Sequence, residues 1–356
     1  MNITRRSFLA ASAAIATSAA TRSALAAADE KPVAFALVSD THYLANKESP
    51  GEMSPDSAAV ASQLIATLNS LPGREISQAA GGGRVAALDG VIHAGDLIDT
   101  GDKSGGVHGK MQQTEFDAFQ ADFGLTGQDG KLKFPCYEVH GNHDGPRGTG
   151  LVIEGIQARN KKRPGLKNLS ANGQHYSWDW GPADRPVHFI NLGIVVGSTK
   201  DKANPRRYNP LDSLEFLQDD LQKHVGDSGR PVVITHHIDV QRYSTPCGDD
   251  PKNASREWHP CDARAYHATI SKYNVVAILY GHTHARHILK WNGTQTKTEQ
   301  GFDLFNVDNA SHFRSDTQAF FYFEITRDRL IVRELATTDR WQTSSWTPLV
   351  WKRNLV

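Results

Sequence analysis

The sequence predicts an α/β protein, and three observations carry that expectation. Five apolar, β-rich runs each stop at a cluster of Asp, Asn, His or Gly; helical patterns lie between them; beyond the fifth run come short strands with no helix between. The runs are "VAFALVSDTH", ending at Asp40 and His42; "LDGVIHAGDLID", ending at Asp96; "KFPCYEVHGNHD", ending at Asn142, His143 and Asp144; "RPVVITHH", ending at His236 and His237; and "NVVAILYGHTH", ending at His282 and His284. Unbroken apolar runs suit strands covered on both faces, and polar residues at their carboxyl ends face a common edge of the sheet. Five loops are therefore expected to converge.

Between the runs, "SPDSAAVASQLIATLNSLP" offers Ser54 as N-cap, Pro55 in the first turn, and Val60, Leu64, Ile65 and Leu68 at helical spacing. "LDSLEFLQDDLQKHVG" repeats the logic with Leu211, Leu214, Leu217 and Leu221, and ends near Gly226. After the fifth run, "ARHILKWNG", "GFDLFNV", "AFFYFEIT" and "RLIVREL" read as a second sheet. Trp341, Trp346 and Trp351 are expected to pack in the core or cap it on a strand, rather than to form a membrane or sugar platform.

A length of 356 residues allows one or two domains. Lys+Arg and Asp+Glu both total 39, so no global field recruits nucleic acid or anionic lipid, and charge must act locally. In residues 1–26, paired Arg5 and Arg6, the Ala-rich run "ASAAIATSAA" and the small residues Ala24 to Ala26 resemble a twin-arginine export signal. The run is too short and too weakly apolar to span a ~30 Å hydrocarbon layer comfortably, so no stable membrane span is expected. Residues 27–356 are then the mature chain, periplasmic or secreted. In an oxidising compartment Cys247 and Cys261, which flank the polar loop "GDDPKNASREWHP", are expected to pair. Cys136, inside an apolar run, reads as a buried small hydrophobe.

Taken together, Asp40, His42, Asp96, Asn142, His236, His282 and His284 supply two carboxylates, one amide and four imidazoles, with no thiolate. Seven such donors exceed the needs of one ion. With one carboxylate shared they suit two divalent metals, each keeping positions open for water and substrate. In "DTH" and "HTH" the donors stand two residues apart at a strand end, so both can turn to one side of a tight bend. Gly95, Gly141 and Gly281, each beside a donor, permit the backbone conformation or close approach such a bend needs.

In this order "DTH", "GD", "GNHD", "HH" and "GHTH" resemble the motif set of the calcineurin-like metallophosphoesterases, D-x-H, G-D, G-N-H-[DE], H and G-H-x-H, over about Phe35 to Ala310. The resemblance implies a four-layer α/β fold of two stacked mixed β-sheets flanked by helices. Here that would be one domain over residues 27–356, with loop insertions and a C-terminal β-rich extension. It implies Asp40, His42 and His284 on a first metal ion, Asn142, His236 and His282 on a second, and Asp96 bridging them. The fourth motif offers two histidines; His236 is the expected ligand, leaving His237 beside it or in contact with substrate. The implied reaction is hydrolysis of phosphate mono- or diesters by a metal-bridging hydroxide, with His143 protonating the departing alkoxide and Asp144 orienting the His143 ring. Two divalent ions, two aspartates and one hydroxide leave the centre with a single formal positive charge, which an anionic phosphoryl group completes. Asn142 binds without cancelling it.

Two alternatives remain beside this reading: a non-catalytic scaffold of the same fold, and a phosphodiesterase of the cyclic-nucleotide or glycerophosphodiester type. The donor set accepts Fe, Mn, Zn or Co. The expected partner is a small-molecule phosphate ester, with no nucleic acid, and the sequence assigns no oligomeric state. Arg147, Arg286 and His312 are candidate substrate contacts, Arg314 a candidate at the rim, and Asp99 a candidate to orient a ligand histidine, whereas His287 reads as surface. "KESPGEMSPDS" and the cysteine-flanked loop are insertions near the motif-bearing strand ends, placed where they could set substrate choice.

Overall fold

The structure is a computed structural model and describes residues 31–200 and 205–355; the expected export segment, residues 1–26, lies outside them. One sheet runs in the order β13 (Ser345–Asn354), β12 (Arg329–Thr337), β11 (Gln318–Ile325), β1 (Val33–Val38), β2 (Gly90–His93), β3 (Cys136–Glu138). The other runs β4 (Leu166–Leu169), β5 (Tyr176–Trp180), β6 (Val187–Asn191), β7 (Val232–Thr235), β8 (Val275–Tyr280), β10 (Phe302–Asn306), β9 (His287–Trp291). Both sheets are mixed. In the first, β1, β2 and β3 are parallel and β11 joins antiparallel; in the second, β6, β7, β8 and β10 are parallel.

This corrects the sequence reading in two ways. The five motif-bearing strands do not share one sheet: β1, β2 and β3 lie in the first and β7 and β8 in the second. Nor do the C-terminal strands form a sheet of their own. β9 and β10 extend the second sheet, while β11 to β13 extend the first. Strand patterning reports which residues alternate, not which edge a strand will join.

The two sheets pack face to face through aromatic side chains. Phe35 of β1 stacks on Phe323 of β11 at 4.7 Å and meets Phe189 of β6 edge-on at 5.5 Å; Tyr137 of β3 stacks on Trp178 of β5 at 4.1 Å. Helices cover the outer faces: α1 (Pro55–Asn69), α2 (His108–Asp122), α3 (Leu151–Lys162), α4 (Ser213–Asp220) and α5 (Pro260–Ile270). Alternation along the second sheet divides its residues between two cores. Phe189, Val233 and Leu279 face the first sheet, while Ile190, Ile234 and Ile278 pack with Leu217 of α4 and Tyr266 of α5. α1 buries Val60, Leu64, Ile65 and Leu68 as its spacing predicts, with Pro55 in its first turn, although Ser54 makes no side-chain capping bond. α4 starts after Leu211 and continues as a π turn, Leu221–Val225, before Gly226.

Trp341 and Trp346 are buried, and Trp351 packs edge-on to Phe305 from β13, so the tryptophans serve the core. Cys136 is free and buried, and burial pushes its thiol pKa up. Cys247 and Cys261 form the expected disulfide. Among the described residues no helix is long and apolar enough to cross a membrane.

Two buried ionic clusters lock the layers. Glu138 at the end of β3 accepts from Arg159 at 2.7 Å and Arg163 at 2.7 Å, tying α3 to the sheet edge. Burial opposes its charge, but the two guanidiniums bring its pKa down to about 2. At the opposite end of β6 from the motif loops, His188 stands between Asp179 and Asp220, with 2.7 Å to each. Burial disfavours its proton, yet the two carboxylates raise its pKa above the ordinary value. A raised folded-state pKa gives stability that is fully present below about pH 6.5, the unfolded value, and is lost as pH climbs through the folded value. Denaturant-measured stability should therefore fall as pH rises above neutrality, and His188→Gln should remove that part of the slope. Equal slopes in the two proteins would contradict it.

Candidate metal centre

The motif loops are short, bent and strained. Of the nine non-glycine residues with positive φ among the described residues, five are Asp40 (54°), His42 (45°), Asp96 (53°), His282 (75°) and His284 (51°). Each such conformation costs on the order of 1–3 kcal/mol and persists only where the surroundings impose it. Here the loops clamp one another. Asp40 N–H donates to the Gly95 carbonyl at 3.0 Å and His42 N–H to that of Asp96 at 3.2 Å, and Gly281 N–H donates to the His237 carbonyl at 3.0 Å. His282 N–H donates to the Asp40 carboxylate at 3.0 Å, joining the loops of one sheet to those of the other. Gly141 and Gly281 are required by close approach: a Cβ on Gly141 would overlap Asp96 Oδ1, and one on Gly281 would overlap Asp40 Oδ2.

Side-chain donors converge on two adjoining points. At the first, His42 Nε2 and His284 Nε2 stand 3.1 Å apart, His284 Nε2 lies 3.3 Å from Asp40 Oδ1, and His42 Nε2 lies 3.6 Å from Asp96 Oδ2. At the second, His237 Nε2 lies 3.1 Å from the same Asp96 Oδ2 and 3.2 Å from Asn142 Oδ1, and His282 completes a cluster with Asp96 and His237. Asp40 and Asp96 are fully buried. Burial works against their ionisation, but the adjoining imidazoles hold both carboxyls well below the usual range. Reciprocally, against burial, the Asp96 charge pushes His237 up to about 9. Buried carboxylates and crowded imidazoles of this kind need cations, and metal ions would displace the protons that otherwise fill the role.

Acceptors stand beside one nitrogen of each of three histidines, with hydrogen bonds at His237 and His282 and an unbonded carboxylate oxygen at His42. Asp99 Oδ1 stands 3.3 Å from His42 Nδ1, the Ala94 carbonyl 2.7 Å from His237 Nδ1, and Glu257 Oε1 3.1 Å from His282 Nε2. At His237 and His282 the acceptor takes the proton of the bonded nitrogen and leaves a lone pair on the other, the tautomer a metal ligand requires. The residues thus fit two cations: Asp40, His42 and His284 for one, Asn142, His237 and His282 for the other, with Asp96 shared.

The structure departs from the sequence expectations at several residues. His236, the expected ligand, is turned away, its ring buried among Trp258, Tyr266 and Tyr280 at 5.1–5.9 Å, where burial lowers its pKa to about 3. Neighbouring residues at a strand end point to opposite sides, so His236 follows Ile234 into the outer core and His237 faces the cluster. Asp144 does not orient the His143 ring. Its buried carboxylate accepts backbone N–H groups of Leu97 at 2.9 Å, Ile98 at 3.0 Å and Gly141 at 2.7 Å, and so ties the third motif loop to the second. His143 Nδ1 donates instead to the Asp99 carbonyl at 3.1 Å, with Asp102 at 3.7 Å, and its ring lies 4.8 Å from that of His42.

Among the expected substrate contacts, Arg286 is engaged by Glu334 at 2.6 Å, and Arg147 is exposed, bonded to the Arg207 carbonyl at 3.4 Å. His312 is brought to the site: its ring stands 4.7 Å from His42 and 4.9 Å from His284. Its Nδ1 accepts the Arg314 N–H at 3.2 Å, so the neutral ring carries its proton on Nε2. Asp99 Oδ1 stands 3.3 Å from His42 Nδ1 without a hydrogen bond to it, and His287 is exposed. Glu257 was not anticipated. It belongs to the cysteine-flanked loop, and no motif marks it.

A family model described as calcineurin-like phosphoesterase matches residues 33–286. Among solved structures, a dimetal phosphatase from Danio rerio is 14% identical, with a TM-score of 0.51 over 92% of this chain and 100% of that one. GAP50, described as the anchor in the inner membrane complex of Plasmodium, is 11% identical, with a TM-score of 0.49 over 91% of this chain and 89% of that one. At 14% identity the likeness to the Danio rerio phosphatase is one of fold alone. A search of curated protein sequences finds no match. Ordered motifs, donor geometry and a family match over most of the described chain agree: this protein belongs to the calcineurin-like phosphoesterase family.

Proposed function

We propose that the protein is an exported, dinuclear-metal phosphoesterase acting on phosphate mono- or diesters of small molecules. The observation that carries the reading is the position of Asp96 Oδ2, 3.1 Å from His237 Nε2 and 3.6 Å from His42 Nε2, which makes one buried carboxylate common to two donor sets. Two bound divalent ions would supply a hydroxide nucleophile near neutral pH and positive charge for the phosphoryl oxygens. The chain's own residues do the rest. His237 and His282 are held in the ligating tautomer by the Ala94 carbonyl and Glu257. His143 keeps Nδ1 on the Asp99 carbonyl, which leaves Nε2 to carry a proton to a departing alkoxide. His312 presents an Nε2–H beside His42 and His284, a donor suited to a phosphoryl oxygen.

Export rests on the twin-arginine-type residues 1–26, and the Cys247–Cys261 disulfide suits an oxidising compartment. Cell fractionation checks it. The strained loops around buried carboxylates favour this reading over the non-catalytic scaffold, which has no need of them. The deciding experiment compares nitrophenyl phosphate and bis-nitrophenyl phosphate as substrates, with protein stripped by chelator and then reloaded with Mn, Zn, Fe or Co. Turnover should vanish on stripping and return on loading, and the ratio of the two rates assigns ester type. Unchanged turnover after stripping would overturn the reading.

A further inference from the structure

Glu257 sits where no family motif places a carboxylate, and its loop is built to hold it there. The disulfide Cys247–Cys261 closes the loop over a sequence separation of 14 residues. Inside it, Trp258 is fully buried and its Nε1–H donates to the Ile238 carbonyl at 3.1 Å, which fixes the residue next to Glu257. The loop ends on α5, whose first turn is capped by the His259 side chain accepting the Cys261 N–H at 3.3 Å. The Glu257 carboxylate is then gripped on one oxygen by the Tyr243 hydroxyl, with Arg242 at 3.7 Å, while the other oxygen stands 3.1 Å from His282 Nε2. Tyr243 and Arg242 lie on a short 3-10 turn, Gln241–Tyr243, soon after β7.

The geometry points to Glu257 as a positioning residue for the second metal position, held against His282 by the disulfide-closed loop. This inference deepens the dinuclear reading and rests on it. An N–H···carboxylate bond on Nε2 fixes the ring's rotation, keeps the lone pair on Nδ1 and makes that nitrogen a stronger donor. It also sets a negative charge behind the second position alone. At the first position Asp99 Oδ1 stands 3.3 Å from His42 Nδ1 but makes no hydrogen bond to it. The outside carboxylate hydrogen-bonded to a ligand histidine of the second position thus comes from an insertion.

The test measures metal, not turnover. Loaded with two equivalents of Co(II), the unmodified protein should release its weaker-held ion to a competing chelator 10–100-fold less readily than Glu257→Ala, the usual span for an outer partner of a ligand histidine. Glu257→Gln, which keeps an acceptor of the same shape without the charge, should fall between, and its visible Co(II) spectrum should differ from that of the unmodified protein. A Cys247→Ser/Cys261→Ser double variant should loosen the same ion and leave the other unchanged. Identical release and identical spectra for the unmodified protein and Glu257→Ala, both holding two ions, would overturn the role of Glu257 and leave the dinuclear reading intact. Fewer than two ions in the unmodified protein would remove the reading on which the inference stands.

Discussion

Asp96→Asn should reduce the bound metal from two ions per chain to one or none and lower phosphoester turnover by at least about a thousandfold. The magnitude follows from the role: Lewis-acid stabilisation of a phosphoryl oxygen is worth several kcal/mol, and roughly 1.4 kcal/mol is a factor of ten in rate. Asparagine is the informative replacement because it spares the architecture. Asp96 has φ of 53°, a region asparagine tolerates better than alanine. Its Oδ1 accepts the His143 N–H at 2.8 Å, a bond an amide oxygen can keep. What asparagine cannot supply is a second anionic oxygen between His42 and His237. Elemental analysis that still finds two ions in the variant would contradict the bridging assignment.

Asp96 was legible in the sequence for a physical reason that does not extend to its neighbours. A both-faces-buried strand must be continuously apolar, so the point where "LDGVIHAGD" turns polar marks a strand end, and the same holds for Asp40, Asn142 and His282. Local composition does not say which sheet a strand enters. The division of the five strands between two sheets, and of β9 to β13 between the same two, depends on pairing between distant segments. The choice between His236 and His237 was in principle legible, because Val233 and Ile234 already fix which parity of β7 faces which core. The sequence shows two histidines, and only the alternation tells them apart. Asp144 and Glu257 were not legible. One binds backbone N–H groups that only the folded loops bring together, and the other sits in irregular chain whose position is set by a disulfide and a buried tryptophan.

The strained backbone connects these failures to function. Asp40, His42, Asp96, His282 and His284 adopt a conformation that helix or strand propensity disfavours, so their local sequence argues against the geometry they hold. Their strain is offset by the apolar strands behind them and by bonds such as Asp40 N–H to Gly95. The backbone that carries the ligands is therefore held by the fold's own bonds.

That rigidity sharpens what His143→Ala should show. His143 lies beside the cluster without belonging to either donor set, its Nδ1 on the Asp99 carbonyl and its backbone N–H on Asp96. A carbonyl can only accept, so Nδ1 keeps its proton, and Nε2 is the atom that can gain one and pass it on. General acid catalysis is worth about 10²–10⁴-fold where the leaving group needs a proton. Removing the ring while leaving the backbone bond to Asp96 should therefore slow alkyl phosphate esters by about that range. Nitrophenyl esters, whose leaving group departs as a stable anion, should lose far less, and metal content should stay at two ions. Equal losses on both ester types would take His143 out of the acid's role. A drop in bound metal would instead mean that the ring supports the ligand loops.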